Sequence, residues 1–337
     1  MYRPMSDVDL ELKKGFRELF PEYASQLEKA KSDSDIEGLR QNFVHSEIEK
    51  LTDVLDEETL KLLSADGGLT YAMTPQEYSN MINARGDNIK LQITTLLNTL
   101  KAIKNIPDPT TGQTAAMMLA TGIGAISTGI GVFNAALGSG AAVAAAAALG
   151  VEAVTVAGIV GLIAVAIIAA LIPIIYFMSK PAACFVFVIN EIPGHENQIT
   201  LGDRHCVHGK EAQLTPQISG MITIPAGVEG SGNYPVGGFV VSEKDSSALI
   251  GSQYGFQYKL DDTVFSFGVE CPLTGIYVDN NCYCAFGGSA ETAANNTNSD
   301  NKQSYSASNS DYIIDINCNS GSGSVAYYIA RVRPSKN

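Results

Sequence analysis

The sequence predicts an α+β protein with two domains, and three observations predict it. The first hundred residues carry apolar side chains at helical spacing, between signals that start and stop helices. The next segment, from Pro109 to Ser179, contains one formally charged side chain, Glu152. After Pro181 the chain changes to short β-branched and aromatic runs separated by turn-forming residues. We therefore expect an N-terminal α-helical bundle over residues 1–180 that encloses a long hydrophobic helical hairpin, and a C-terminal antiparallel β-sandwich or small barrel over residues 181–337.

Three or four amphipathic helices are predicted between residues 7 and 106. The first, from about Asp7 to Lys31, should break or kink at Pro21, because proline lacks the backbone donor that a helix interior needs. A second helix follows the cluster of N-cap residues at 32–35, and a third begins at Thr74-Pro75. Since each helix has one apolar face, we expect these helices to cover the hydrophobic hairpin.

The hydrophobic hairpin is assigned to residues 114–178. Two runs in this segment, Thr114–Leu137 and Ala153–Met178, contain no charged residue. Each run is longer than the stretch of about 20 apolar residues that a helix needs to cross a bilayer. Small residues four apart, which permit close helix packing, are Ala120 with Gly124, Ala125 with Gly129, and Ser127 with Gly131. Membrane contact is predicted for the large apolar side chains, namely Met118, Ile123, Ile126, Ile130, Val132, Phe133, Leu137, Val154, Ile159, Leu162, Val165, Ile168 and Leu171. The alternative is that the hairpin is only the core of a soluble bundle.

Glu152 lies between the two apolar runs, near the expected tip of the hairpin. A carboxylate is costly in a membrane when it is charged. We therefore expect acid to promote insertion by neutralising Glu152.

About eight or nine short strands are predicted after Pro181, among them Ala183–Ile189 and Tyr254–Leu260. Asp261-Asp262 separates two such runs and is typical of a tight hairpin turn. Residues 287–311 are rich in Ser, Asn and Ala and show no apolar period, so they are predicted to form a long mobile loop.

All six cysteines follow the hairpin. Disulfides are predicted among Cys206, Cys271, Cys282, Cys284 and Cys318, with unspecified pairing, and reduced thiols are the alternative. No metal is expected; a structural zinc at His195, His205 and His208 is the weaker alternative, because no second cluster of ligands has matching spacing.

Aromatic rings with polar tips suit both sugar stacking and a membrane interface. The tyrosines selected on this ground as receptor-binding candidates are Tyr234, Tyr254, Tyr277, Tyr283 and Tyr305. The alternative is that these rings belong to the core of the sheets.

Several classes of function are disfavoured. The net charge of −13 and the lack of a basic cluster argue against nucleic acid and against docking to anionic lipid. The sequence contains none of the usual hydrolase, metalloprotease or nucleotide-binding motifs. We therefore expect no enzyme and no cofactor.

The order of amphipathic helices and then a long uncharged hairpin, over about residues 7–180, resembles the α-helical pore-forming toxins, both the cytolysin A and haemolysin BL group and the pore-forming colicins. The resemblance implies a hairpin that is sheltered in the soluble form and enters a target membrane. A β-rich domain following the hairpin directly departs from both groups, although three-domain insecticidal toxins also combine helical and β-rich domains.

The leading prediction is thus a pore-forming cytolysin that reaches a target membrane without a usual signal peptide. Its β-domain would bind a membrane lipid or a surface glycan or protein receptor, and its hairpin would insert, with self-association and a second toxin component as further partners. One alternative is an integral membrane protein with two spans and both domains on one side. A second alternative is a soluble carbohydrate-binding or adhesion protein with a buried hairpin.

Overall fold

The structure is a computed structural model. It describes residues 7–52, 71–72, 75–85, 88, 182–194, 196–224, 232–245, 250–272, 279–300, 302–318 and 325–336.

The described residues include five helices, α1 Asp7–Leu19, α2 Pro21–Lys29, α3 Asp33–Thr52, α4 Pro75–Asn83 and α5 Ala290–Asp300. Pro21 stands in the first turn of α2, so the break predicted at this proline is confirmed. Helices α1 to α3 meet through aromatic rings: the Tyr23 and Phe43 centroids lie 4.5 Å apart, and Phe20 packs against Phe16 at 5.6 Å.

The predicted α-helical bundle is wrong for the part of the chain that the structure describes. That part is mostly β-sheet, its five helices are short, and they form no bundle. The amphipathic pattern of the first hundred residues predicted helices, but an apolar face does not specify which other element it will contact.

The predicted transmembrane helix is also corrected. Of the helices in the described ranges, none is long and apolar enough to cross a membrane. The longest, α3, has 20 residues but carries acidic and basic side chains along its whole length. The integral-membrane alternative and the predicted pore both needed such a helix, and the described ranges contain none. Residues 114–178, where the hairpin was predicted, lie outside the described residues.

Fourteen strands are described: β1 Tyr71–Ala72, β2 Ala183–Asn190, β3 Ile199–His208, β4 Lys210–Leu214, β5 Gln217–Ile218, β6 Ile222–Ile224, β7 Gly232–Tyr234, β8 Val236–Glu243, β9 Ser252–Leu260, β10 Thr263–Cys271, β11 Asn281–Phe286, β12 Ser304–Ser308, β13 Tyr312–Cys318 and β14 Val325–Pro334. Except for the short pair β6 and β7, they form two large sheets.

The first sheet has the order β1-β8-β2-β14-β13-β12, and β4 also pairs with β8. Its two central strands, β2 and β14, are parallel, with Val186 opposite Tyr328, whereas the other pairs are antiparallel. Both strands are rich in β-branched and aromatic residues, as expected for strands buried on both faces. The predicted wholly antiparallel arrangement is therefore wrong at this central pair.

The second sheet has the order β11-β10-β9-β3-β5. Strands β9 and β10 form a hairpin in which Leu260 pairs with Thr263 across a two-residue turn. Asp261 takes a φ of 49° in that turn, a conformation that aspartate tolerates better than most residues. The turn predicted at Asp261-Asp262 is confirmed.

The two sheets pack face to face around a largely aromatic core. Phe256 stacks on Phe267 with ring centroids 5.4 Å apart, and both rings are fully buried. Hydrogen bonds cross between the sheets, from Tyr328 Oη to the carbonyl oxygen of Glu270 at 2.6 Å and from Cys284 Sγ to that of Ile314 at 3.7 Å. These contacts fix how strands of the second sheet lie over the first.

Helix α5 lies on the outer face of the second sheet, within the region predicted to be a mobile loop. The loop prediction for residues 287–311 is wrong, because α5 and β12 occupy most of this range. The helix buries Ala290, Ala293, Ala294 and Thr297, which are spaced as one face of a helix. Gly255 and Gly268 lie opposite each other in β9 and β10 beneath that face.

These two glycines permit the close approach of the helix. A Cβ atom at Gly255 would collide with the carbonyl oxygen of Ala290, and one at Gly268 with that of Ala293. Because the obstacle in each case is backbone, it cannot move aside as a side chain could.

A second contact connects the N-terminal part of the chain to the first sheet. Arg331 of β14 donates to Glu191 from Nε at 2.5 Å and from Nη2 at 3.1 Å. Its Nη2 also donates to the hydroxyl of Tyr78 in α4 at 2.9 Å. Burial, together with the nearby Glu191 carboxylate, raises the pKa of Tyr78, so this hydroxyl stays neutral. Helix α4 is thereby held against the sheet by a hydrogen bond from Arg331 to Tyr78, and Arg331 itself is fixed by a largely buried ion pair with Glu191.

We predict that Gly268→Ala destabilises the protein by about 1–3 kcal/mol, because the added methyl group forces α5 away from the sheet. Urea unfolding followed by circular dichroism measures this change. The matched control is Gly38→Ala in α3, where nothing lies within 4 Å of an added Cβ. That variant should gain about 0.5–1 kcal/mol from helix propensity. Wild-type stability of Gly268→Ala would contradict the close packing.

Candidate ligand-binding site

The outer face of the second sheet brings functional side chains into rows that run across its strands. Pairing across β3, β9, β10 and β11 aligns His208, Gln253, Glu270 and Asn281, a set named here the polar row. The adjacent row consists of His205, Gly255, Gly268 and Tyr283. Helix α5 crosses the two glycines, and its last turns lie over the polar row. Gln253 and Glu270 therefore lie beneath the helix and contact its last turns.

Glu270 is the centre of the polar row, and helix α5 supplies its best donor. In the orientation that its neighbours satisfy, the amide of Asn298 donates from Nδ2 to both carboxylate oxygens of Glu270 at 2.8 Å. The Oδ1 atom of Asn298 accepts from Gln253 Nε2 at 2.8 Å. Asn298 is exposed, so a group arriving from solvent can reach this position.

The remaining donors to Glu270 are weaker. Asn281 Nδ2 approaches Oε2 at 3.4 Å, and the hydroxyl of Thr297 approaches it at 3.3 Å. Thr297 has one hydroxyl proton and lies closer to the carbonyl oxygen of Ala294, at 2.8 Å. The carboxylate thus has one well-placed donor side chain and capacity for more.

Burial also changes the acidity of this carboxyl group. Desolvation raises the pKa of Glu270 above 4.5, and the hydrogen bonds from Asn281 and Thr297 and the nearby imidazole of His208 counteract this only in part. Burial therefore favours the protonated form of Glu270, whereas the hydrogen bonds from Asn298 to both carboxylate oxygens favour the ionised form.

A second feature, named here the aromatic corner, lies beside the polar row. The rings of Tyr283 in β11 and Tyr305 in β12 meet with their centroids 4.8 Å apart, and both are half-buried. The ammonium group of Lys302 lies 4.9 Å from the centroid of the Tyr305 ring. Tyr283 follows Asn281 by two residues on the same face of β11, a separation of about 7 Å along a strand.

The five tyrosines selected from the sequence fall into three groups. Tyr283 and Tyr305 are brought together in the aromatic corner. Tyr234 and Tyr254 are buried, and Tyr254 donates to Glu211 Oε1 at 2.9 Å, so these two rings do not line the corner. Tyr277 lies outside the described residues.

All six cysteines lie within the described residues, and none of them forms a disulfide bond in the structure. Burial raises the pKa of Cys206 to about 11, and that of Cys271 and Cys284 to about 12. Protonated thiols at these positions are poor nucleophiles and poor metal ligands.

Two of the three histidines considered as zinc ligands lie side by side on the outer face of the second sheet. His205 pairs with Gly255 and His208 with Gln253, and His195 lies outside the described residues. In the part of the chain that the structure describes, no group of three or more His, Cys, Asp or Glu side chains could hold a metal ion.

The residues proposed for membrane insertion and helix packing, all between 114 and 178, lie outside the described residues, and so does Glu152.

Glu270, Asn281 and Asn298 were not among the site residues predicted from the sequence. The sequence does contain a signal for Glu270, because successive side chains of a strand point to opposite faces. Glu270 therefore lies on the opposite face of β10 from the buried Val269 and Cys271. The missing information was the strand register, which makes Glu270 and Asn281 direct neighbours.

No protein-family model and no curated protein matches the chain. Solved structures give weak likenesses to part of it. The lipid binding protein nakanori is 15% identical, with a TM-score of 0.36, covering 45% of this chain and 71% of nakanori. RahU protein is 9% identical, with a TM-score of 0.27 and coverages of 46% and 97%. The Xerocomus chrysenteron lectin XCL is 6% identical, with a TM-score of 0.29 and coverages of 44% and 99%.

Since each of these TM-scores lies below 0.5, these likenesses carry no inference about what this chain binds.

We predict that Glu270→Gln changes how stability depends on pH. Because the pKa of Glu270 is raised in the folded state, the folded protein binds the proton more readily than the unfolded chain does. The free energy of unfolding should therefore fall as pH rises from 4.5 through the raised pKa, and Glu270→Gln should lack this component. Urea unfolding at a series of pH values between 4.5 and 8 tests it.

The control is Glu291→Gln, which neutralises an exposed carboxylate on α5. This variant should keep the wild-type pH profile. Identical profiles for wild type and Glu270→Gln would contradict the raised pKa assigned to Glu270.

Proposed function

We propose that the β-rich region binds a carbohydrate at the aromatic corner. The single observation that carries the proposal is the half-buried pair of Tyr283 and Tyr305, with Lys302 at one ring and the polar row alongside. Binding sites combine apolar and aromatic surface with a few convergent polar groups. A sugar has the matching chemistry, with a C–H face for the rings and hydroxyl groups for the polar side chains.

The aromatic corner provides this surface with little loss of side-chain conformational entropy on binding. Each ring is restrained by the other and by its strand, so few rotamers are lost when a ligand arrives. Each tyrosine presents an apolar ring together with a polar hydroxyl. Lys302 adds a positive charge and three donors at the edge.

A lipid bilayer fits the described surface less well. Among the described residues, the large hydrophobic side chains that are exposed are Leu10 and Ile250, which belong to a helix and to the segment before β9. Neither belongs to the aromatic corner, and two isolated side chains form no apolar patch. The net charge of −13 also disfavours anionic headgroups. A glycan, free or displayed on a cell surface, is the partner we propose, in agreement with an adhesion role.

The test is binding of the full chain to an array of neutral and acidic glycans, followed by calorimetry with the best ligand. Tyr283→Ala and Tyr305→Ala should each weaken binding roughly ten- to hundredfold, because each removes an aromatic contact worth about 1.5–3 kcal/mol. Tyr283→Phe should keep most of the affinity that comes from stacking.

The matched control is Tyr23→Ala, which removes another half-buried ring in an aromatic contact, far along the chain in α2. It should leave glycan affinity unchanged. Binding of the protein to vesicles of phosphatidylcholine or phosphatidylserine without glycolipid tests the alternative ligand. Binding to such vesicles with no binding to any glycan would overturn the proposal in favour of a lipid headgroup.

A further inference from the structure

We propose that Glu270 and Asn281 form the specificity end of this site and accept hydrogen bonds from two adjacent hydroxyl groups of the bound sugar. This inference rests on the proposed carbohydrate binding at the aromatic corner. It adds the chemical group that the site selects and the atoms that select it.

The first step is an excess of acceptors at this end of the sheet. Glu270 offers two carboxylate oxygens, and its firm donor is the exposed amide of Asn298. Helix α5 ends here, so its last carbonyl groups add further negative charge. A ligand that brings donors relieves this excess, whereas a phosphate or carboxylate group would add to it.

The second step is an acceptor with no partner. Asn281 is 6% exposed, and its Oδ1 atom accepts no hydrogen bond among the described residues. The Nδ2 atom of the same amide approaches Glu270, so the amide group of Asn281 lies beside the carboxylate. Leaving a buried acceptor unsatisfied costs about 1–3 kcal/mol. Because the Oδ1 atom itself is buried, a ligand hydroxyl would reach it and recover that cost once the Asn281 side chain turns towards the ligand.

The third step is the position of these acceptors relative to the rings. Asn281 and Tyr283 are on the same face of β11, and Glu270 is directly opposite Asn281 in β10. A sugar stacked on Tyr283 therefore extends its edge towards Asn281 and Glu270. Adjacent hydroxyl groups on one edge can serve the carboxylate and the amide oxygen together, which a single point donor cannot do.

A metal cation is a poorer occupant, because the described residues hold no group of three or more acidic, histidine or cysteine ligands. Glu270 is the one carboxylate of the polar row. A primary ammonium group offers donors but no surface for the tyrosine rings to stack on. A sugar fits both parts of the site, because its C–H face can stack on the tyrosine rings and its hydroxyl groups can donate to Glu270 and Asn281.

The experiment compares parent sugars with analogues that lack one hydroxyl group. The probes are the methyl glycosides of glucose, galactose and mannose and their monodeoxy derivatives, measured by calorimetry on the full chain. Wild type should prefer a parent sugar by about tenfold or more over the derivatives lacking either of two adjacent hydroxyls, as expected for a bond to a charged acceptor. In Glu270→Gln, this preference should fall to about threefold or less.

Asn281→Ala should reduce the preference at one of the same two hydroxyls, and Glu291→Gln, a charge-matched change on the exposed side of α5, should keep the wild-type pattern. A merely structural role for Glu270 would lower affinity for parent and deoxy sugars alike, and that result would overturn the inference. So would competition by ethanolamine that depends on Glu270. If wild type binds none of the parent sugars or the arrayed glycans, the proposal of carbohydrate binding itself is wrong. If Glu270→Gln keeps the wild-type preference for parent sugars over deoxy sugars, only this further inference is wrong.

Discussion

The close contact of helix α5 with the second sheet is the constraint on which the site depends. Gly255 and Gly268 leave no side chain between the helix backbone and the strands. Alanines on the buried face of the helix complete the contact without adding bulk. A larger residue on either side would lift the helix, and Asn298 and Thr297 would then lose their positions above Glu270.

The site combines a rigid apolar part and an incompletely satisfied polar part. Tyr283 and Tyr305 come from edge strands of different sheets, so the packing of the two sheets fixes their contact. Glu270 and Asn281 come from neighbouring strands of one sheet, so the strand register fixes theirs. Buried polar groups that are only partly satisfied reduce stability. Such groups are expected where a ligand completes the hydrogen bonding.

Local signals in the sequence predicted several strands well, missed β3, β4, β5 and β12, and predicted the assembly of the strands poorly. The strand predicted at Ala183–Ile189 is observed as Ala183–Asn190, and the turn at Asp261-Asp262 is where it was expected. The parallel pairing of β2 with β14 joins residues far apart in the chain, and no local pattern reports it. Helix α5 was missed because its buried positions hold alanine and threonine rather than large apolar residues. Their spacing is helical, but the hydrophobic signal is weak.

The same reasoning explains the tyrosines. Composition identified rings suited to a sugar, and only the fold separates Tyr283 and Tyr305 at the surface from the buried Tyr254.

The most direct measurement of the central claim is a heteronuclear NMR titration of the full chain with its best glycan. We predict that the first side-chain amide signals to shift are those of Asn281 and Asn298, together with the ring signals of Tyr283 and Tyr305. Saturable binding that shifts none of these signals would contradict the account.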